Sequence, residues 1–330
     1  MKYNVQKMVG AARQSVHSRI RAAWVYALIV SLALSGAAMA QSLYKYRGEN
    51  GEWIYSDRPP EGGQEAEVRV LEPTAEDGEI KVSYRQVGDG IELFASNRYH
   101  APIELKLLIQ EIRGLDYPAA DDDLRWVLPA RSETNLVRLA RLEEGPAPYL
   151  AYRFQYLAGD PAARHEPNGL YRVPYAIASD YPISQAYPDV ITHITPDSRY
   201  AVDIAMPVGT DIFASRGGVV FDVAADNYKN GLDLERDGPR ANVVRILHDD
   251  GTYAIYAHHN WNSIRVRPGD RVERGQYIAD SGNTGFSSGP HLHFAIVQNV
   301  GLRLESIPFE FQGMSSMRVT PATGLALTAY

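Results

Sequence analysis

Apolar and polar residues alternate over much of the chain. Ile103, Leu105, Leu107 and Ile109 alternate with Glu104, Lys106 and Gln110, interrupted by Leu108. Tyr152, Phe154 and Tyr156 alternate with Arg153 and Gln155. A period of two marks strands with one buried face. Turn signals separate these runs at Gly88-Asp89-Gly90, Ala101-Pro102, Asp121–Asp123 and Gly159-Asp160-Pro161. Short strands at this spacing predict a β-sandwich-like region over 80–175. Further strands are legible at Tyr200–Met206, Gly218–Ala224, Ala241–Leu247, Thr252–Ala257 and His291–Val297. Glycine and proline punctuate the gaps and helical periodicity is nearly absent, so the chain reads as mainly β. Residues 176–312 form one further domain on this reading, and 313–330 a tail.

The first 80 residues differ. Residues 43–58 carry two aromatic, alternating runs on either side of Asn50-Gly51, a hairpin signal, so 41–79 reads as a small hairpin domain and linker. Ahead of it, a basic segment leads into an uncharged stretch from Ala22 to Ala40 that ends Ala38-Met39-Ala40. A positive start, an apolar run of about a dozen residues and a small-x-small end describe a signal peptide cleaved after Ala40. An uncleaved membrane anchor is the other reading of so long an uncharged run. The remainder is expected outside the cytoplasm, and no later segment is apolar enough to cross a membrane.

Composition narrows the chemistry. The chain has 330 residues, 45% apolar and 22% charged, which suits two or three domains. It has no cysteine, so disulfides, thiolate metal sites, cysteine nucleophiles and a lipoprotein anchor are excluded. Formal charge is −7; without the five cations of residues 1–40, 28 basic face 40 acidic side chains, a balance of −12. Nucleic-acid binding needs the opposite sign. Asp121–Asp123 reads as a solvated loop, with a calcium site as the alternative.

Six of the nine histidines, His193, His248, His258, His259, His291 and His293, fall between 176 and 312. In Pro290-His291-Leu292-His293-Phe294 the imidazoles of a strand share one face, so both can bind a metal, or one can bind while the other handles protons. His258 and His259 follow the strand that ends at Ala257. Asp203 stands alone in an apolar strand, which is costly unless it is capped, paired or coordinated. Histidines with a carboxylate and no cysteine suit catalytic zinc, which takes three protein ligands and leaves a position for water.

The segment resembles the lysostaphin/LytM-type zinc endopeptidases of bacterial cell walls. It shares their Asp-x-Ala-x-Pro-x-Gly-Thr pattern at Asp203, Ala205, Pro207, Gly209 and Thr210. Asn242-Val243-Val244, Tyr256-Ala257-His258 and Gly282-Asn283-Thr284-Gly285 follow in the family's order, and Ser288–Phe294 closes the domain. The resemblance implies an antiparallel β-sheet peptidase domain, with Asp203 and His293 as zinc ligands and His258 and His291 as catalytic histidines. It implies peptidoglycan stem peptides as substrate. His248 is expected in a surface turn with a structural role, and His259 stands where the family has leucine. The hairpin segment likewise resembles a small domain of unknown function found in Gram-negative envelope proteins, which points to the periplasm.

One position departs from the family. Its first zinc histidine lies four residues before the aspartate, where this chain has Arg199, which stays protonated and cannot ligate. The nearest substitute is His193, behind a Pro196-Asp197-Ser198 turn; the alternative is an exposed loop histidine and a site short of one ligand. The function expected is therefore an exported zinc endopeptidase acting on peptide cross-links. The alternative is an inactive regulator that binds and activates another cell-wall enzyme, an amidase. A carrier-domain reading of 268–276 fails, because residues 230–330 hold no lysine.

Overall fold

A computed structural model describes residues 2–7, 41–47, 53–56, 67–71, 79–117 and 124–330. The leader expected at 1–40 lies outside them apart from the backbone strand Lys2–Lys7, as do the Asn50-Gly51 turn and Asp121–Asp123. The chain divides into a unit of residues 9–75 and a unit of 1–8 with 76–330. No helix among the described residues is long and apolar enough to cross a membrane.

In the smaller unit, Gln41–Arg47 pairs antiparallel with Trp53–Ser56 on one side and Glu67–Leu71 on the other. The hairpin pairing is the one the aromatic alternation predicts.

The larger unit is built from strands throughout. Ile80–Val87, Gly90–Asn97, Ser132–Arg141 and Leu115–Asp116 make one four-stranded antiparallel sheet. Lys2–Lys7, Tyr149–Ala158, Ile103–Arg113 and Arg125–Leu128 make a second. The alternating residues Ile103, Leu105 and Leu107 of one sheet and Val82, Leu93 and Ala95 of the other share a buried cluster. The Tyr152 hydroxyl, donating to Val82 O at 3.1 Å, ties the two sheets together.

A nine-stranded antiparallel sheet follows. Its centre runs Gly218–Ala224, Val243–Leu247, Tyr253–Ala257, His291–Asn299, Val202–Ala205 and Asp180–Gln185. Leu292, Phe294 and Ile296 point to one face, where Phe309, Phe311 and Leu327 cover them. Residues 313–330, expected as a tail, are part of this layer. Ala326–Thr328 pairs with Asp180–Gln185, Leu327 and Ala329 are buried, and the Tyr175 hydroxyl donates to Leu327 O. Apolar residues spaced two apart at the chain's end found an open sheet edge, which local composition does not signal.

The opposite face carries His291 and His293 and continues along the same strand as Ala295 and Val297. Ala295 and Val297, with Ala201, Phe221 and Tyr253, belong to the same apolar cluster as the sandwich core. The sandwich therefore packs on the face that bears the histidines. A buried polar link closes the contact: the Asn299 amide donates to Glu104 Oε2 at 2.8 Å and to Gly159 O at 3.0 Å. Leu302 N donates to the same Glu104 oxygen at 2.7 Å, and Arg125 pairs with the other at 3.1 Å.

His248, expected in a surface turn, is buried at 3% exposure against Tyr171. Its Nδ1 bonds Gly217 O at 2.9 Å, while Nε2 has no hydrogen-bond partner. Burial pushes its pKa down to about 4.

Two measurements check this packing. Asn299→Ala leaves Glu104 Oε2 and Gly159 O each short of a donor, and is expected to cost about 1–3 kcal/mol in urea denaturation. Between pH 6.5 and 4 the unfolded chain takes up a proton on His248 that the folded chain refuses. Stability is therefore present above 6.5 and falls as pH drops toward 4, by up to about 3 kcal/mol from this residue. His248→Gln, which keeps a donor for Gly217 O, is expected to flatten that part of the profile.

Candidate metal centre

The site is assembled at one end of three adjacent strands. Antiparallel register sets Asp203 opposite His293, Ala205 opposite His291, and Ala257 opposite His293 from the other side. Side-chain parity then sends Asp203, His291 and His293 to the same face. His258, one residue past the Tyr253–Ala257 strand, joins them.

Asp203 Oδ1 is the hub. It lies 2.9 Å from His293 Nδ1, 3.2 Å from His193 Nε2 and 3.8 Å from His291 Nε2. His193 arrives from the loop between Asp180–Gln185 and Val202–Ala205 and is 4% exposed. Its ring meets the His293 ring edge-on, centroids 4.9 Å apart. Arg199 is exposed in the turn that follows. Ligand atoms of His193, Asp203 and His293 lie within 4.8 Å of one another, close enough to hold one metal ion.

Far-side hydrogen bonds orient the imidazoles. His193 Nδ1 faces Ala201 O at 3.1 Å, which fixes the ring with Nε2 turned toward Asp203. His291 Nδ1 faces Gly289 O at 2.8 Å and Ser287 Oγ at 3.2 Å. His258 Nδ1 faces Thr284 O at 2.6 Å. The Nε2 atoms of His258 and His291 are left as acceptors, with the two rings 4.5 Å apart.

Burial alone would raise the pKa of Asp203. Hydrogen bonds from His193 and His293, and their charge, outweigh it and hold the carboxylate well below its ordinary range. Burial first, then the neighbouring His291 and His293, pushes His258 down to about 3, so its imidazole is neutral at pH 7. The arrangement thus offers three donors for a cation beside two further imidazoles.

His258 has φ 67°, a left-handed conformation that a residue with a side chain holds only when its surroundings enforce it. The enforcers are Asn242 and Thr284. His259 N donates to Asn242 O at 3.2 Å, and His259 O accepts from Asn242 Nδ2 at 3.2 Å and Thr284 Oγ1 at 2.9 Å. The Asn242 amide also bonds both N and O of Asn227, at the base of the long 225–240 loop. That loop returns to the site through Asn230–Gly231, which pairs with Gly285–Phe286. His259 is fully buried with Nδ1 on Asp280 O and its pKa pushed down to about 4 by burial.

One buried group has no signal in the sequence. Gln185, 6% exposed, places its amide nitrogen 2.8 Å from Asp203 Oδ2. A lone polar residue at the end of an alternating strand looks like any edge position until its neighbours are known.

Residues 197–303 match peptidase family M23, and residues 30–79 match a domain of unknown function, DUF4124. The M23 match begins four residues after His193. The chain is 34% identical over 106 residues to the glycyl-glycine endopeptidase ALE-1 of Staphylococcus capitis, covering 32% of this chain and 26% of that one. It is 34% identical over 124 residues to the peptidoglycan DD-endopeptidase ShyA of Vibrio cholerae, covering 37% and 25%. The matched part thus spans about a quarter of these curated relatives. A structure of the lysostaphin catalytic domain from Staphylococcus simulans aligns at 28% identity and a TM-score of 0.24, over 39% of this chain and 77% of that chain. The segment that supplies Asp203, His258, His291 and His293 is a peptidase family M23 domain, and the chain carries a DUF4124 domain ahead of it.

Proposed function

We propose that the protein is an exported zinc endopeptidase that hydrolyses peptide cross-links of peptidoglycan in a Gram-negative envelope. The observation that carries this reading is the convergence of His193, Asp203 and His293 beside two further imidazoles whose Nε2 atoms are free to accept. Two nitrogens and one oxygen, with no sulfur, suit zinc, and His193 completes the set that Arg199 would have left short.

Bound there, zinc supplies Lewis-acid polarisation of the scissile carbonyl and a lowered pKa for water. The chain's own residues do the rest. His258 and His291 hold a water by its protons and accept one at Nε2. The imidazolium so formed stabilises charge developing on the carbonyl oxygen and returns the proton to the leaving amine. Gly289 O and Thr284 O, on the far nitrogens, favour the protonated rings while that charge exists. The 225–240 loop walls the groove and, through Asn242, is tied to the backbone of His259.

The substrate class rests on the relatives, whose names specify glycyl-glycine and DD-peptide bonds of cell walls. With an envelope-type domain ahead of it, this chain is assigned direct cross-links between stem peptides. Residues 41–79 and the sandwich then position the enzyme on the wall. A regulator that acts by binding an amidase has one observation on its side, the arginine at position 199. The three converging donors favour the enzyme.

Two measurements test the proposal. Cross-linked dimers of purified peptidoglycan, incubated with the chain beginning at Gln41, are expected to become monomers by mass spectrometry, and a zinc chelator is expected to stop the conversion. Persistent dimers would point to the regulator. His293→Ala is expected to lose zinc and hydrolysis together. His258→Ala and His291→Ala are expected to keep zinc and lose about 10²–10⁴-fold in rate; full activity in either would remove that residue from the mechanism.

A further inference from the structure

We propose that Gln185 is a positioning residue for the metal ligands, one side chain that sets the Asp203 carboxylate and holds the loop that delivers His193. The proposal rests on the reading of His193, Asp203 and His293 as ligands. Gln185 ends the strand Asp180–Gln185 and lies opposite Asp203 in the pairing with Val202–Ala205.

Every hydrogen-bonding capacity of its amide is used. Nε2 donates to Asp203 Oδ2 at 2.8 Å and to Thr192 Oγ1 at 2.9 Å. Oε1 accepts from the backbone N–H of Thr192 at 2.7 Å and from that of Ile191. These partners fix which end is which. Reversed, the amide would set an oxygen against a carboxylate and N–H groups against N–H groups.

Two consequences follow for the ligands. First, the oxygens of Asp203 are divided: Oδ1 faces the three histidines, while Oδ2 is taken by the amide. The carboxylate is thereby held as a one-oxygen ligand in a fixed rotation. A neutral donor does this without a second charge, whereas a lysine or arginine there would compete with the cation. Second, the ligand loop is gripped next to its histidine. Ile191 and Ile194 on either side of His193 are 83% and 76% exposed, so apolar packing does not hold this stretch. Polar contacts do so instead. Gln185 binds the two amides just before His193, and Ser306 binds Pro196 O just after it. Because His193 comes ten residues before Asp203 and not four, its approach is not enforced by the strand that carries the aspartate. Gln185 supplies the missing constraint by joining the two ligand segments through one rigid group.

The test is a zinc competition titration of the full chain against a chromophoric chelator, for wild type and Gln185→Leu. It is paired with amide hydrogen exchange of the metal-free proteins. Zinc affinity is expected to fall about 10–100-fold, the usual effect of removing a group that orients a ligand. The Ile191 and Thr192 amides are expected to lose protection while those of Tyr253–Ala257 keep theirs. Thr192→Val, which leaves the bond to Asp203 intact, is expected to lower affinity less. Unchanged affinity in Gln185→Leu overturns the proposal, as does an affinity loss accompanied by lost protection throughout the sheet. Gln185→Met, of similar length, makes the same comparison if the leucine variant does not fold. Tight zinc binding by a wild-type chain that cleaves no peptidoglycan would overturn the hydrolase reading and leave this one standing.

Discussion

The carboxylate of Asp203 lies in a strand between Val202 and Ile204, which are buried in an apolar core. An ionised group there is costly to desolvate and persists because every side of it is met: His193 and His293 on one oxygen, Gln185 on the other. The rest of the site follows from this requirement. A slip of one residue in the pairing of Val202–Ala205 with His291–Asn299 would turn Asp203 away from both histidines and toward the face of Phe294. Register of the central sheet and integrity of the candidate metal centre are thus one constraint, enforced by the cost of burying an unpaired charge.

The same strand explains where the site is open. Along His291–Asn299 the side chains of His291 and His293 are 15% and 19% exposed, while Ala295 and Val297 are fully buried under the sandwich. The sandwich covers the sheet face up to the histidines, and Asn299, Glu104 and Gly159 lock the covered end. The opposite face is closed by the C-terminal residues around Phe309, Phe311 and Leu327. With both faces covered, the end of the sheet that bears His258, His291 and His293 is the part left open.

Much of this was legible in the residues. Alternation marked Ile103–Ile109 and Tyr152–Tyr156 as strands, and Ile103, Leu105, Leu107, Tyr152 and Phe154 are buried in the cluster shared by the two sheets. The pattern His291-Leu292-His293 already implied two imidazoles on one side of a strand. Asp203 announced itself as a charge that needed partners. The family resemblance implied roles for Asp203, His293, His258 and His291, and the ligand atoms of His193, Asp203 and His293 lie within 4.8 Å of one another. Other features carried no such signal. Gln185 reads as one more polar residue at a strand end. His248 looks like a turn histidine and is buried, since burial depends on Tyr171 and Gly217, far away in sequence. Residues 313–330 have the glycine and serine content of a tail and still complete the sheet.

The division has a physical origin. Backbone geometry makes neighbouring side chains alternate, so strand identity, the shared face of His291 and His293, and the isolation of Asp203 were determined by the sequence read locally. Partners brought from afar were not. The return of His193 past Arg199, the bonds of Gln185 to Asp203 and to the loop before His193, the left-handed turn at His258 and the docking of the sandwich beside the histidines were decided only in three dimensions. Each depends on contacts between residues separated by loops, whose closure no local period encodes.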